Sequence, residues 1–164
     1  MGVAPDTDEM LPTYPPRPSG GNMDDPDMVE GTTVYFPVFV KGALFSIGDT
    51  HAAQGHGEVS GSAIEAPMRI ISEVKVIKGG RAIAEPQYEN DDFYAVTGTG
   101  TTLDEAAKKA TRYMIDYLVA VHHLERHEAN MLCSVAADLK IAEVVDGVML
   151  VSMHISKKVL GVGR

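Results

Sequence analysis

The sequence predicts an α+β fold in which an antiparallel or mixed β-sheet, or a β-sandwich, carries two C-terminal helices packed on it. Segments rich in β-branched and aromatic residues come first, and amphipathic helical patterns follow them. Strands and helices do not alternate regularly, which disfavours a doubly wound parallel sheet. With 164 residues, of which 45% are hydrophobic and 23% charged, the chain has the size and composition of one globular domain with a sizeable core.

The composition of the chain changes near residue 31. Residues 1–31 hold most of the prolines and several aspartates, as in PPRPSGGNMDDPD, and this predicts an extended arm with little core of its own. Residues 32–164 are predicted to form the α+β domain.

Four segments have the composition of β-strands. Residues 34–40 and 43–49 are separated by Lys41 and Gly42, which is short enough for a hairpin. Residues 67–80 alternate well enough to form another strand that ends in a Gly-Gly turn, and residues 93–100 predict a further strand.

Two helices and a last strand are predicted in the second half of the chain. Thr102 and Glu105 have the spacing of a capping box, and apolar residues recur at helical spacing after them. The second helix is expected over residues 125–139, a loop or short strand over 140–146, and the last strand over 148–155. The residues expected to face inward from the second helix are Met131, Leu132, Val135 and Leu139.

Charge and hydropathy exclude two classes of partner. The net charge of −9 disfavours nucleic acid, because affinity for phosphates rests on clustered Lys and Arg. No apolar run approaches the roughly 20 residues that a membrane helix needs. The amino-terminal residues lack the pattern of a secretory signal, and the single cysteine, Cys133, cannot form an internal disulfide. A cytoplasmic protein without a membrane or nucleic-acid partner is therefore expected.

A glycine-rich stretch, GDTHAAQGHGEVSGSAIE at residues 48–65, concentrates acid, imidazole and amide groups. Asp49 and His51 are two residues apart, so on an extended strand both side chains leave from the same face and can converge on one cation. Glu58 and Glu65 add carboxylates nearby. The same pattern also fits a glycine-rich hairpin loop with solvated acids, and spacing alone leaves both interpretations open.

A longer series of motifs resembles one known family. GVAP, then GGNMD (20–24), then residues 30–65, is similar to the acetamidase/formamidase family of amide hydrolases. The likeness continues through TLDEAAKKATRYMIDYL and EANMLCSVAADLKIAEVVDG, which look like the C-terminal helices of that family. The resemblance covers nearly the whole chain but only the C-terminal half of a family member, whose N-terminal β-rich half is missing.

The resemblance implies hydrolysis of a short aliphatic amide, formamide or acetamide, to the carboxylate and ammonia. It also implies a divalent metal, with zinc as the expected ion. We expect Asp49 and His51 to be metal ligands, and Glu58 or Glu65 to act as general base and then as the acid that protonates ammonia. The residues expected to bind the substrate or to complete the pocket are Asn22, Asp24 and Gln54.

One position departs from the family pattern. His56 stands in GHGE, where family members usually carry an acidic residue in GDGE. Together with the missing half, this departure keeps two alternatives open: a non-catalytic remnant that acts as an assembly or interaction module, and a metal-binding protein without hydrolytic function. The expected partners are a small amide and either further copies of the chain or a chain that supplies the N-terminal half.

Overall fold

A five-stranded antiparallel sheet is the central element of the structure, a computed structural model that describes residues 1–161. Its strand order is β1-β4-β5-β7-β6, and a separate two-stranded sheet pairs β2 with β3. The strands are β1 (Thr33–Tyr35), β2 (His51–Ala53), β3 (Ile64–Glu65), β4 (Gln87–Glu89), β5 (Phe93–Gly100), β6 (Ala137–Glu143) and β7 (Met149–Ser156). The helices are α1 (Leu103–His122) and α2 (Arg126–Ala136). The predicted α+β class is confirmed, including the two helices on the sheet.

Helix α1 begins where the sequence predicts, because Thr102 caps it. The Thr102 hydroxyl accepts a hydrogen bond from the backbone N–H of Glu105. The helix packs on β5 and β7 through a core that includes Met114, Leu118 and Ile155, all fully buried. Burial of side chains of this size stabilises a fold by roughly 1.5–3 kcal/mol each.

Two glycines of β5 allow α1 to lie close to the sheet. A Cβ atom on Gly98 would lie 2.6 Å from the carbonyl oxygen of Ala106 and 2.6 Å from the amide nitrogen of Ala110. A Cβ on Gly100 would meet the amide nitrogen of Ala106 at 2.7 Å. Real Cβ atoms do not approach backbone atoms this closely, so the absence of a side chain at these positions sets the distance between helix and sheet.

The prediction for the second helix is right in type but wrong at its end and in its buried face. The helix ends at Ala136, and Leu139 lies in β6, which pairs with β7. Six residues of β6, Leu139 among them, lie in register with the long buried strand β7, and local helical periodicity cannot reveal this pairing. Met131 and Val135 are exposed, whereas Ala129 and Cys133 are buried; of the residues predicted to face inward, Leu132 is partly buried and packs against the core.

The predicted hairpin of residues 34–40 and 43–49 does not form. Only Thr33–Tyr35 is a strand, and it pairs with β4 rather than with the following segment. Ala43 and Leu44 have positive φ angles of 57° and 51°. Residue 46 instead bridges to Gly2, with backbone hydrogen bonds in both directions. A pairing with the amino-terminal residues therefore replaces the local one.

Residues 67–80 do not form the predicted strand, and every residue of this segment is exposed. The prediction for residues 93–100 is confirmed by β5, and that for residues 148–155 is confirmed within one residue by β7. Within residues 1–161, neither helix is long and apolar enough to cross a bilayer.

The first 31 residues fold over one end of the main sheet. Val3 and Met23 are buried, and Met23 belongs to a small cluster with Ala142 and Leu150. The division of the chain into an arm and a domain stays a prediction. What matters for the site is that this segment brings Asn22 and Asp24 against the end of β6.

Candidate active site

The glycine-rich loop of residues 55–58 is attached to the carboxyl end of β6. The Gly57 amide donates to the carbonyl of Ala142 at 2.8 Å, and the Val144 amide donates to the carbonyl of Gly57 at 3.0 Å. Gly57 has a φ angle of 95°, a conformation that glycine adopts without strain. This pairing places Glu58 beside Glu143.

His51, at the start of β2, is the centre of the first group of side chains. Its Nε2 lies 3.2 Å from Oε2 of Glu65 and 3.6 Å from Oδ1 of Asp49. Ligand atoms of Asp24, Asp49 and His51 all lie within 4.8 Å of one another, and the same holds for His51, Glu58 and Glu65. The structure thus brings Asp49, His51 and the nearby acids together, but not through a shared strand face as expected: Asp49 lies before β2 and has a φ angle of 57°.

Gln54 determines which nitrogen of His51 carries the proton in the neutral ring. The Gln54 Nε2 donates to the main-chain carbonyl of Asp24 at 2.5 Å, so its Oε1 faces Nδ1 of His51 at 3.0 Å as an acceptor. His51 therefore donates from Nδ1, and Nε2 faces the carboxylates of Asp49 and Glu65. A lone pair directed at two carboxylates is unfavourable unless a proton or a cation lies between them.

The pKa of His51 reflects its burial, its hydrogen bond with Gln54 and the carboxylates around it. Burial lowers the pKa, but the hydrogen bond with Gln54 and the negative charges of Glu65, Asp24 and Asp49 outweigh burial, so the pKa is raised above its ordinary value. The carboxylates favour a positive charge at Nε2, which either a proton or a divalent cation can supply.

A second group consists of three carboxyl groups, from Asp24, Glu58 and Glu143, with oxygen atoms within 4.8 Å of one another. Glu143 is fully buried and Glu58 is 7% exposed. The backbone N–H of Asp24 donates to Oε2 of Glu143 at 3.1 Å, while Oε1 of Glu143 has no hydrogen-bond partner among the described residues. Three clustered carboxyl groups with an unpartnered buried oxygen need protons or a cation.

Both glutamates of this group hold their protons more strongly than usual. Burial, followed by the nearby charge of Asp24, raises the pKa of Glu58 to about 7. Burial and the charge of Asp24 raise the pKa of Glu143 to about 9. A carboxyl group with a pKa near neutral pH can both accept and release a proton during a reaction, which is the property required of a general base that later serves as an acid.

Asn22 lies on the outer side of this group. Its Nδ2 donates to Oδ2 of Asp24 at 3.0 Å and to Oδ2 of Asp146 at 2.5 Å. The amide thus holds two carboxylates that would otherwise repel each other. In this structure the polar groups of Asn22 and Gln54 are directed at protein atoms, which positions the acids and His51.

Sequence reasoning did not identify Glu143 and Asp146. Glu143 is the last residue of β6, in the apolar run IAEVV, where a fully buried acid is rare unless it is paired. An acidic residue inside an apolar run was therefore the feature of the sequence that could have identified Glu143. Its partners lie in the amino-terminal segment and in the glycine-rich loop, so the cluster itself could not be read from local spacing.

His56 lies outside both groups. Its Nε2 is 3.5 Å from Oδ2 of Asp27, and the same oxygen accepts a hydrogen bond from Nζ of Lys140 at 2.9 Å. Nε2 of His154 lies 3.6 Å from the same oxygen of Asp27. Burial lowers the pKa of His154 to about 4. At this position an acidic residue would face Asp27, so the imidazole is the electrostatically better neighbour.

An open cavity of about 530 Å³ lies beside the two groups. Glu58, Gln54 and His56 contribute its polar wall, and small residues such as Ala53 and Ser60 contribute much of the remainder. A cavity of this size accommodates a small organic molecule next to the Glu58 carboxyl group.

The donor set fits a divalent cation, and the fold and site together define a class: an α+β protein with an imidazole–carboxylate site open to a small-molecule cavity. One imidazole nitrogen and several carboxylate oxygens are ligands that zinc accepts, whereas the all-oxygen group suits harder cations. The directed Nε2 of His51 and the unpartnered Oε1 of Glu143 are the two observations that support this fit.

Comparison with known proteins identifies the family. The model of the acetamidase/formamidase family matches residues 4–159. The chain belongs to the acetamidase/formamidase family.

Among curated relatives, the acetamidase of Mycolicibacterium smegmatis is 46% identical over 126 residues, which cover 76% of this chain and 29% of the relative. The formamidase of Methylophilus methylotrophus is 45% identical over 69 residues, which cover 42% of this chain and 17% of the relative. The matched regions are therefore less than a third of these relatives' own length.

Solved structures agree with this assignment. A predicted acetamidase/formamidase from Thermoanaerobacter tengcongensis superposes with a TM-score of 0.91 at 34% identity, covering 98% of this chain and 52% of the other. An acetamidase from Bacillus halodurans gives a TM-score of 0.84 at 33% identity, covering 98% of this chain and 55% of the other. The chain thus spans about half the length of these solved relatives.

Proposed function

We propose that this chain carries the catalytic groups for metal-dependent hydrolysis of a short aliphatic amide, formamide or acetamide, to the carboxylate and ammonia. Membership of the acetamidase/formamidase family supports the reaction class. The observation that carries the proposal is the convergence of His51, Asp49 and Glu65 with Glu58 at the edge of a cavity.

The proposed metal ligands are Asp49 and His51, with zinc as the ion. Gln54 orients the imidazole of His51 so that its Nε2 can bind the metal ion, and Oε2 of Glu65 lies 3.2 Å from that nitrogen. A divalent cation at this position would supply Lewis-acid chemistry, polarising the amide carbonyl and making water more acidic.

Glu58 is the proposed general base, with Glu65 as the second candidate. Glu58 is nearly buried, lines the cavity and has a pKa raised to about 7, so its carboxyl group can change protonation state near neutral pH. Its carboxylate takes a proton from the attacking water and returns it to the leaving nitrogen, which departs as ammonia. Glu65 has a side chain that is 51% exposed, and its Oε2 lies 3.2 Å from Nε2 of His51, the proposed metal ligand.

Asp24 contributes in two ways to the proposed site. Its charge keeps the pKa of Glu58 high, and its main-chain carbonyl fixes Gln54. We propose that Asn22, Asp24 and Gln54 together shape the pocket that binds the amide. The lone cysteine supports a cytoplasmic location as part of the same proposal.

The test is ammonia release from formamide and acetamide, measured together with zinc content, for the wild type and for Asp49→Ala and His51→Ala. The exposed His127→Ala is the matched control for unspecific binding of zinc by histidine. We expect one zinc per chain in the wild type and in the control, and loss of both zinc and ammonia release in the two site variants. Stoichiometric zinc in both site variants would refute the ligand assignment.

The exposed segment of residues 67–80 favours a second candidate function, in which the chain is a non-catalytic assembly module with the family scaffold. The two candidate functions predict different results in the assay of ammonia release. A folded, zinc-loaded chain that releases no ammonia, either alone or together with the half of the family fold that it does not span, would favour the module.

A further inference from the structure

A buried series of hydrogen bonds on the main sheet ends one residue away from the candidate site. Tyr88 of β4 is fully buried, and its hydroxyl donates to Oδ2 of Asp25 at 2.6 Å. Asp25 is 6% exposed and directly follows Asp24, which belongs to both groups of the site. A buried carboxyl group needs hydrogen-bond partners, and the Tyr88 hydroxyl is one of them. Asp25 is thus tied to the sheet while its neighbour along the chain lies in the site.

His154 fixes the direction of the Tyr88 hydroxyl. Tyr88, Ala95 and His154 stand opposite one another on β4, β5 and β7, and Nε2 of His154 lies 2.9 Å from the Tyr88 oxygen and 3.0 Å from Oγ of Ser152. Burial lowers the pKa of His154 to about 4, so near neutral pH the ring carries one proton. Since the Tyr88 proton points to Asp25, the Tyr88 oxygen accepts from Nε2–H. Nδ1 has no hydrogen-bond partner among the described residues, which agrees with a proton on Nε2.

The carboxyl group of Asp25 also holds the turn that follows it. Its Oδ1 accepts from the backbone N–H of Asp27 at 3.1 Å, and its main-chain carbonyl accepts from the N–H of Met28 at 3.1 Å. On the other side, the Asp25 N–H donates to the carbonyl of Met23 at 2.8 Å. The hydrogen bond from Tyr88 therefore attaches residues 23–28 to the main sheet through one buried side chain.

The main chain of Asp24 transmits this attachment to the site. Its N–H donates to Oε2 of Glu143 at 3.1 Å, and its carbonyl accepts from Nε2 of Gln54 at 2.5 Å. The Asp24 carbonyl and the Asp25 N–H belong to one planar peptide group, so the two cannot turn independently. The carbonyl in turn decides which end of the Gln54 amide faces Nδ1 of His51. A rotation of this peptide group would therefore change the hydrogen bond offered to His51.

We infer that Tyr88 and Asp25 are positioning residues of the proposed metal site. Tyr88 holds Asp25, the peptide group between Asp24 and Asp25 holds Gln54, and Gln54 keeps the proton of His51 on Nδ1. The inference rests on the proposed role of His51 as a metal ligand. It adds two residues on the sheet to the site, neither of which touches the ion or the substrate. Groups that orient a ligating histidine commonly contribute about 10- to 100-fold to metal affinity.

The test compares Tyr88→Phe with the matched control Tyr94→Phe. Each variant removes a buried hydroxyl that donates a 2.6 Å hydrogen bond, to Asp25 in one case and to Gln87 in the other. Tyr94 belongs to the core between the sheet and α1, whereas Tyr88, opposite Ala95, faces the other side of the sheet. Both variants should lose comparable stability, but only Tyr88→Phe releases the turn that carries Asp24.

The first readout is the tautomer of His51 in the metal-free protein. Nitrogen-15 chemical shifts of the ring report it at a pH where the imidazole is neutral. We expect the Nδ1–H form in the wild type and in Tyr94→Phe, and a mixture of both forms in Tyr88→Phe. The second readout is zinc affinity by chelator competition, which should fall about tenfold in Tyr88→Phe and stay within twofold in Tyr94→Phe.

Two results would overturn the inference. One is a His51 tautomer that is unchanged in Tyr88→Phe, and the other is an equal loss of zinc affinity in both variants, because lower stability would then be the cause. Should Tyr88→Phe not fold, Asp25→Asn decides, since its single carboxamide oxygen cannot accept from both Tyr88 and the Asp27 N–H. A mixed tautomer in that variant supports the inference, and the wild-type tautomer refutes it.

The two readouts also separate this inference from the proposed function. Absence of zinc from the wild type, or absence of ammonia release, would count against the proposed function. The tautomer of His51 needs neither metal nor amide, so it would still decide whether Tyr88 and Asp25 orient the ring.

Discussion

Nδ1 of His51 and Oε1 of Gln54 lie 3.0 Å apart, and Gln54 is fixed from its other side by the main-chain carbonyl of Asp24. A glutamine held in this way accepts a hydrogen bond from Nδ1–H of the neutral imidazole and leaves Nε2 directed at Asp49 and Glu65. The relationship joins the amino-terminal segment to β2 and fixes the orientation of the proposed metal ligand.

Replacement of Gln54 by leucine should weaken zinc binding by about 10- to 100-fold, the usual cost of losing a group that orients a ligating histidine. Chelator competition measures the affinity, and Ser60→Ala, in the wall of the same cavity, is the control. If Gln54 instead binds the amide, zinc affinity would stay within twofold of the wild type and only the KM for the amide would rise.

The rate of amide hydrolysis should depend on the ionisation of Glu58. Because the pKa of Glu58 is about 7, kcat/KM should rise as the pH increases through neutrality and level off above it. Glu58→Gln should lose about 100-fold or more of kcat, whereas Glu65→Gln should retain an acidic limb near pH 7. The pH–rate profile of each variant is the measurement, and an unchanged limb in Glu58→Gln would assign the base elsewhere.

The metal-free protein should become less stable as the pH rises. Glu58 and Glu143 have folded-state pKa values of about 7 and about 9, well above the ordinary value of 4.5. Their contribution to the free energy of unfolding is thus complete below about pH 4.5 and is lost as the pH rises towards 9. Thermal melting between pH 5 and 9 in the presence of a chelator measures the decline.

A matched variant separates the contribution of Glu143. Glu143→Gln keeps the size of the side chain but removes its titration, so it should flatten the decline and raise the melting temperature at pH 8 by several degrees. Asp91→Asn, at an exposed position, is the control. A pH dependence that is identical in wild type and Glu143→Gln would contradict the raised pKa.

Gly98→Ala should destabilise the fold, because the new Cβ would lie 2.6 Å from backbone atoms of α1. Overpacking of this kind costs about 1–3 kcal/mol of the free energy of unfolding, which urea titration measures. Gly48→Ala is the control, since a Cβ there meets nothing within 4 Å. Equal stability of the two variants would mean that α1 can shift away from the sheet at little cost.

Local patterns in the sequence predicted those elements whose stability is itself local. The Thr102 cap and the helical period of α1 were correctly placed, since each depends on neighbours along the chain. The hairpin of residues 34–49 failed because residue 46 pairs with Gly2 and Tyr35 pairs with β4. Such distant competitors leave no trace in local spacing.

The sequence by itself determined the fold class, the family and the concentration of acid, imidazole and amide groups in residues 48–65. Only the tertiary structure decided which of these groups meet, because the Gly57 pairing with β6 brings in Glu143 and the amino-terminal segment brings in Asp24. Side-chain type is a property of the chain, whereas pKa depends on burial and on charges from distant segments. For this reason Glu58 could be named as a candidate base from sequence, but its pKa of about 7 could be read only from the folded protein.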